Sequence, residues 1–257
     1  MTPAQGLYQD GYAEVYDLLM RRRGHDHAGE CRALLELIGR WRPGAHSLLD
    51  VACGTGLHLE RIAPSFDTVH AADLSPEALA IAAGRVDSLH RHVVDMRRIE
   101  LAERFDAITC LFAVPHLSSA AELDATVARL ADHLAPGGVL IVEPWYHPED
   151  FLPGYIATDA LDEGGRSIVR LSHSDWLDRA SQRIRMVVHH ATADPAHGIR
   201  HATEEIDLTL FTPEQFRDAF VAAGCHAEHT GAAPFRWGLW LARRAGGGSI
   251  CSTLPGT

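Results

Sequence analysis

Positive charge is what this chain is short of. Its 34 acidic residues outnumber 23 Lys and Arg, for a net charge of −11 with histidine neutral. That balance argues against a nucleic-acid partner, because neutralising phosphates takes clustered Lys and Arg. A nucleotide-linked small molecule stays open, since a few local arginines suffice for it. Cysteine is also sparse. Cys31, Cys53, Cys110, Cys225 and Cys251 are scattered with no CxxC pair, which excludes a disulfide frame or a zinc ribbon and reads as reduced thiols. No HExxH helix occurs, and the 17 histidines stand mostly singly, so no metal is expected. The N-terminus carries no apolar signal-type stretch, and no run reaches membrane-spanning length. A cytoplasmic, bacterial protein without membrane partner is the plain expectation. No internal repeat is visible.

What the chain does have is the composition of a globular protein, 46% hydrophobic and 22% charged. Its 257 residues allow one large domain or a domain carrying an inserted lobe. The focal stretch is Ser47-Leu-Leu-Asp-Val-Ala-Cys-Gly-Thr-Gly56. An apolar run meets an acidic residue and two glycines, and a helical pattern follows from Leu57. A buried parallel strand, a sharp turn and a helix N-terminus have this grammar. The free N–H groups and dipole of the helix end suit a small, partly anionic ligand.

Residues 1–45 read as a helical lid, with periodic segments from Glu14 to Arg22 and from Ala28 to Trp41 around Gly24. Tyr8, Tyr12 and Tyr16 fall four apart and share one face of a continuous helix. That stripe serves equally as packing or as cover for the glycine turn. The following hundred residues alternate strand and helix. Strands are expected at Ser47–Val51, Thr68–Ala72, Leu89–Val94, Phe105–Phe112 and Gly138–Pro144, and helices at His58–Ala63, from Ser75 and at Ala120–Leu134. Ala-Pro-Gly-Gly at 135–138 reads as a helix stop. The fold class is therefore α/β, a doubly wound, mostly parallel, Rossmann-like sheet. Residues 46–147 and 208–244 form its core. Between them, 148–207 read as an antiparallel substrate-binding insertion with strands at Ser167–Ser172, Arg183–His190 and Thr203–Thr209. Thr212-Pro-Glu-Gln opens a further helix, Cys225–Thr230 and Leu239–Ala242 supply the last strands, and 245–257 read as a disordered tail.

Asp50, Asp73 and Asp95 stand at strand ends, so in an open parallel sheet they converge on one crevice. Asp73, one strand-helix-strand unit beyond the glycines, is placed to accept both ribose hydroxyls of an adenosine. A nicotinamide dinucleotide wants GxGxxG, but three residues after Gly56 stands Leu59. That disfavours NAD.

Leu48-Leu-Asp-Val-Ala-Cys-Gly-Thr-Gly56, Ala72-Asp-Leu-Ser75, Val94-Asp-Met96, Phe105-Asp-Ala-Ile-Thr-Cys110 and Leu134-Ala-Pro-Gly-Gly-Val139 resemble, in order and spacing, the class I S-adenosyl-L-methionine-dependent methyltransferases. The resemblance implies that the turn around Ala52, Gly54 and Gly56 meets the methionyl part of the cofactor. It implies Asp73 with Leu74 at the ribose, and Asp95 with Met96 at the adenine, with Leu111 beside them.

The flanks narrow the family. Ala13-Glu-Val-Tyr-Asp-Leu-Leu, Val142-Glu-Pro-Trp-Tyr-His-Pro-Glu-Asp-Phe151, Val169-Arg-Leu-Ser-His-Ser174, Thr209-Leu-Phe-Thr212 and Phe220-Val-Ala-Ala-Gly224 resemble the N,N-dimethyltransferases of dTDP-linked aminosugars in antibiotic deoxysugar pathways. This second resemblance runs nearly to Arg244. It implies Tyr8 and Tyr16 near the cofactor, Tyr8 also with a catalytic part, Arg23 facing the methionyl carboxylate, and His116 beside the transferred methyl as the group that receives or orients the amine proton. Beyond the resemblance, Arg170, Arg185 and Arg236 are candidate bidentate partners of a diphosphate, with Ser172 beside them. Trp145, Tyr146 and Tyr155 either wall the sugar or serve as core and rim aromatics, and Glu143 either holds the acceptor or is a structural carboxylate. Two loops depart from the family pattern: Ala113-Val-Pro115 is shorter, and Phe235-Arg-Trp-Gly-Leu-Trp240 shifts an arginine by one place. The expected partner is a small-molecule dTDP-aminosugar, the expected assembly a monomer or homodimer. A methyltransferase acting on an oxygen or a different small amine is the competing reading.

Overall fold

The central strands send alternate side chains into two apolar layers. Along β1 (Ser47–Val51), Leu48 joins Ala107, Val139 and Ile141 on one side, while Leu49 and Val51 join Ile108, Leu140 and Val142 on the other. A sheet apolar on both faces must be covered by helices on both. The computed structural model, which describes Asp17, residues 26–231 and residues 234–244, has that three-layer form. The helix expected at Glu14–Arg22, the tyrosines at 8, 12 and 16, and the tail 245–257 lie outside the described residues apart from Asp17.

The main sheet comprises β1, β2 (Thr68–Asp73), β3 (His90–Val93), β4 (Phe105–Cys110), β5 (Leu134–Val142), β10 (Cys225–His229) and β11 (Trp240–Arg244), ordered β10-β11-β5-β4-β1-β2-β3. Strands β3 to β5 run parallel through β1, and β11 enters antiparallel between β5 and β10. Three helices cover one face: α1 (His27–Trp41), α2 (Leu59–Ile62) and α3 (Pro76–Arg85), burying Leu34, Ile38, Leu59, Ile62 and Leu79. On the other face α4 (Ala120–Asp132) and α5 (Pro213–Ala222) bury Leu123, Val127, Leu130, Phe216 and Phe220. The caps read from sequence form as expected. The Ser75 hydroxyl accepts from Ala78 N at 3.1 Å with Pro76 in the first turn, and Thr212 with Gln215 closes a capping box. Each such cap contributes about 1 kcal/mol.

Between β5 and α5 the chain builds a second sheet of four antiparallel strands, β6 (Tyr155–Glu163), β7 (Arg166–Asp178), β8 (Arg183–Asp194) and β9 (Gly198–Thr209). It buries Ile184, Val188, Ile206 and Leu208 together with Phe151, while Val169 and Leu171 face outward and are exposed. Sequence periodicity predicted three short strands here; the ladder has four long ones, because polar residues occupy inward positions on β6 and β7 and mask the alternation. A second difference lies at Ala135–Gly138, read as a helix stop with the strand beginning at Gly138. It belongs to β5, where pairing with β4 jumps from Phe105↔Leu134 to Ala107↔Val139. Backbone crowding requires the glycine in this bulge: a Cβ on Gly138 would lie 2.8 Å from the Phe105 carbonyl oxygen.

One cluster of polar residues is built into the apolar layer. His70 on β2 is buried, stacked on His90 (4.4 Å between ring centroids) and on His92, edge-on to Phe105, and hydrogen-bonded through Nδ1 to His92 Nε2 at 2.9 Å. Burial and then the neighbouring His90 and His92 push the His70 imidazole down to about 4, against a weaker opposite pull from Glu103. The unfolded chain titrates near 6.5, so between those values it binds more protons than the native state, and stability falls as pH falls. His70→Leu should therefore show a smaller drop in denaturation midpoint from pH 7 to pH 5 than the wild type. An equal drop in both proteins would remove His70 from the acid sensitivity.

Candidate active site

At the carboxyl ends of β1, β2 and β4 the chain leaves the sheet through unusual backbone. Ala52, Gly54 and Gly56 have φ of 57°, 55° and 77°, and Phe112 beyond β4 has 55°. Non-glycine residues reach this region only when surroundings enforce it, and such strain collects at ligand sites. Here two hydrogen-bond systems hold the turn. The Asp73 carboxylate accepts from Gly54 N at 2.8 Å and from Ser75 N at 2.9 Å, joining the glycine turn to the start of α3. Beneath it, Thr55 is buried and donates to Asp17 at 2.5 Å, Arg85 pairs with the same Asp17, and Arg85 also donates to the Thr55 carbonyl at 2.7 Å.

These turns open into a cavity of about 1060 Å³. A pocket for one small ligand spans roughly 300–1,000 Å³, so this one has room for two reactants together. The four-stranded sheet roofs it with Arg170, Ser172, Met186, Val188 and Ile206, and β9 runs against the turn Val114–His116.

Most of the residues singled out in the sequence meet at this cavity. Ala52, Gly54, Asp73, Leu74, Asp95, Met96, Leu111, His116, Trp145, Tyr155, Arg170, Ser172 and Arg236 all line it. Tyr8, Tyr16 and Arg23 lie outside the described residues. Gly56, Glu143 and Arg185 do not line it. Gly56 is spent on packing, for a Cβ there would stand 2.9 Å from the Cβ of Ala82 on α3. Glu143 continues the ladder by donating its N–H to the Cys110 carbonyl, and its side chain is buried with Oε2 unpartnered. Arg185 turns to Asp207 (2.7 Å) and Glu205 (3.1 Å).

The electrostatics of the cavity divide by sign. Burial raises the Asp50 carboxyl to about 6, although Thr109 donates to it at 2.7 Å. Burial also raises Asp73 against its backbone donors, and raises Glu143 well above the carboxylate range, with Glu30 adding to the effect. Asp95 moves the other way: burial opposes its charge, but a bidentate contact from Arg97, at 2.9 Å and 2.5 Å, outweighs that and holds it low. His116 stands on the cavity wall, where the surrounding protein and then the Arg97 charge lower its imidazole.

Several cavity residues, Arg97, His27, Glu30, His58 and Trp237 among them, were not singled out, whereas Tyr146 was read with Trp145 and Tyr155 as an aromatic of the sugar wall. Arg97 has only its place two residues after Asp95 as a signal. His27, Glu30 and His58 also line the wall, and only the three-residue spacing of the first two was readable. Tyr146 and Trp237 form an aromatic rim, their rings 4.7 Å apart, with the Arg236 guanidinium 5.2 Å from the Trp237 centroid.

Residues 48–138 match the family model of a methyltransferase domain. The chain is 44% identical over 237 residues to the dTDP-3-amino-3,6-dideoxy-alpha-D-glucopyranose N,N-dimethyltransferase of Streptomyces fradiae, covering 92% of each. It belongs to that family of aminosugar N,N-dimethyltransferases. It is also 39% identical, over 93% of this chain and 94% of the relative, to the dTDP-4-amino-2,3,4,6-tetradeoxy-D-glucose N,N-dimethyltransferase of Saccharopolyspora spinosa. Among solved structures, SAM-bound CalS10, an amino pentose methyltransferase from Micromonospora echinaspora, superposes with a TM-score of 0.80 at 41% identity, over 90% of this chain and 97% of that one. The protein is thus an S-adenosyl-L-methionine-dependent N-methyltransferase of class I fold. Among the described residues no helix is long and apolar enough to cross a membrane.

The cavity fits the cofactor on its own terms. Each Asp73 oxygen takes one backbone N–H and keeps capacity for a ribose hydroxyl. Buried carboxyls at Asp50 and Asp73 suit a ligand whose sulfonium and ammonium are cationic. A cation beside Asp50 favours its charged form, so cofactor binding should be full above about pH 6 and weaken below it by up to tenfold per pH unit. Calorimetric Kd values between pH 5 and 8 test this, and Asp50→Asn should flatten the step. An identical step in the variant would assign it to another group.

Proposed function

We propose that this enzyme methylates, twice in succession, the amine of a dTDP-linked deoxy-aminosugar of an antibiotic pathway. The observation that carries the proposal is the single cavity, which joins the Gly54–Asp73 cradle to His116 and to a roof bearing arginines and serines. Relatives that act on 3-amino and on 4-amino sugars lie at 44% and 39% identity, so the carbon bearing nitrogen is set by the roof and rim of this chain and not by the cradle.

The bound cofactor supplies an electrophilic methyl group on a sulfonium. The chain's own residues orient, desolvate and manage one proton per transfer. On this reading Asp73 accepts the ribose hydroxyls, Leu74, Met96 and Leu111 enclose the adenosine, and Ala52 to Thr55 present backbone to the methionyl end. Asp95, kept ionised by Arg97, faces the adenine. Tyr8, Tyr16 and Arg23 join from the N-terminal segment. Holding the two reactants in line is worth roughly 7–11 kcal/mol of barrier.

The amine attacks through its lone pair and so must shed a proton. His116 takes that role. Its lowered imidazole is neutral at physiological pH, leaving one ring nitrogen free to accept. Arg236 and Arg170 then serve the diphosphate, with Trp145, Tyr155 and Ser172 around the sugar. Glu143, buried and with its carboxyl raised by burial, lies behind the cavity wall instead of touching the acceptor.

His116→Asn should lower kcat by about 10²-fold or more while cofactor Kd stays within twofold. The acid limb assigned to His116 should lie below about 6.5 in the wild type and vanish in the variant. Near-normal turnover across the pH range would remove the base role. Mass spectrometry on dTDP-3-amino and dTDP-4-amino sugars should show two added methyl groups on one of them. No mass gain on any aminosugar, with transfer to a hydroxyl acceptor, would favour the oxygen-directed reading.

A further inference from the structure

One group on the cavity wall has no part in the chemistry above. His27 and Glu30 lie three apart in the first turn of α1 and so share a face, and His58, at the N-cap of α2, reaches the same spot. Glu30 is buried, the two imidazoles half-buried. His58 Nε2 lies 3.1 Å from Glu30 Oε2, the His27 and His58 rings are 5.3 Å apart, and one donor atom from each of the three residues falls within 4.8 Å of the others. We propose that His27, Glu30 and His58 form a binding site for a borderline transition-metal ion of the Zn2+, Co2+ or Ni2+ type.

The donor set selects the class. Two imidazoles with one carboxylate suit these ions, whereas Mg2+ and Ca2+ want all-oxygen shells. Bonds of about 2.0–2.1 Å to a tetrahedral ion put neighbouring donors about 3.3 Å apart. The His58–Glu30 pair already has that separation. His27, half-buried in the first turn of α1, closes the remaining gap by side-chain rotation. All three residues have partners already, so the ion takes the place of the His58–Glu30 contact, and because its ligands bind deprotonated, uptake weakens in acid. The three residues line the cavity, as do Gly54, Thr55 and Leu57. An ion there adds positive charge beside the place of a cationic cofactor. It therefore opposes cofactor binding, a consequence that rests on the cofactor assignment while the metal site itself does not.

The test is a Co2+ titration of the full, untagged chain, read by visible ligand-field absorption. The wild type should take up one equivalent saturably. His58→Asn and His27→Asn should each abolish that uptake, and His92→Asn should leave it intact, since the His70–His90–His92 group is the rival location. His27→Asn alters a half-buried side chain in the first turn of α1, and circular dichroism matching the wild type keeps the comparison valid even if His58→Asn folds poorly. Saturating Co2+ should raise the Kd for S-adenosyl-L-methionine about fivefold or more in the wild type and not in His27→Asn. No saturable uptake, uptake surviving the His27 and His58 variants, or loss that follows His92 would overturn the site. An unchanged cofactor Kd would overturn its link to the cofactor.

Discussion

The Asp73 carboxylate is the constraint on which the rest of the site depends. By accepting from Gly54 N and Ser75 N it fixes the end of β1 against the end of β2 and sets where α3 begins. The Gly54 N–H, in left-handed backbone, thereby has a fixed acceptor next to the left-handed Ala52. Gly56 then lets Ala82 approach to a distance no side chain would permit, so α3 lies close over the turn. Thr55 extends the arrangement by tying Asp17 and Arg85 to the same few residues, which brings one residue of the N-terminal segment to the cradle. A ligand recognised by this carboxylate is therefore recognised by a turn, a helix start and the chain's beginning at once.

Charge is arranged to suit the reaction class. Acids at the cradle are raised by burial, so they gain most when a cationic ligand arrives, while the one histidine at the end of β4 is lowered and stays neutral. Arg97 links the two halves. It holds Asp95 low and adds, after burial, to the lowering of the His116 imidazole.

How much of this was readable in the sequence depended on how local the signal was. The core strands and the caps at Ser75 and Thr212 are written in adjacent residues and read correctly. So is the convergence of Asp50, Asp73 and Asp95, which follows from parallel topology alone. The Ala135–Gly138 bulge was misread because proline and glycine mark both a helix stop and a crowded strand. Strand β6 was missed because its inward positions include Asp159, which pairs with Arg170 at 3.5 Å, and polar inward residues cancel the period-two pattern. Gly56 was read from the glycine motif and Glu143 from a strand end; neither lines the cavity, Gly56 packing against Ala82 and Glu143 lying buried. The meeting of His58 with Glu30, 28 residues earlier, has no local signature at all.

The arginines show how structure narrows what residue type leaves open. Arg183 and Arg185 both engage Asp207, and Arg170 is buried between Asp159 and the Ser172 hydroxyl. A phosphate approaching any of these must displace or share an existing partner. Arg236 differs. Its guanidinium lies over the Tyr146 and Trp237 rings, and among the described residues no carboxylate pairs with it. Stacking leaves the in-plane N–H donors of a guanidinium available, the geometry that bidentate phosphate contacts need. On the proposed function the diphosphate's strongest contact is therefore Arg236, in the loop where this chain shifts its arginine by one place. The same aromatic faces that hold the arginine also border the cavity. A one-residue shift there moves charge and stacking surface together, so the departure in that loop bears on which nucleotide sugar fits and leaves the methyl-donor cradle untouched.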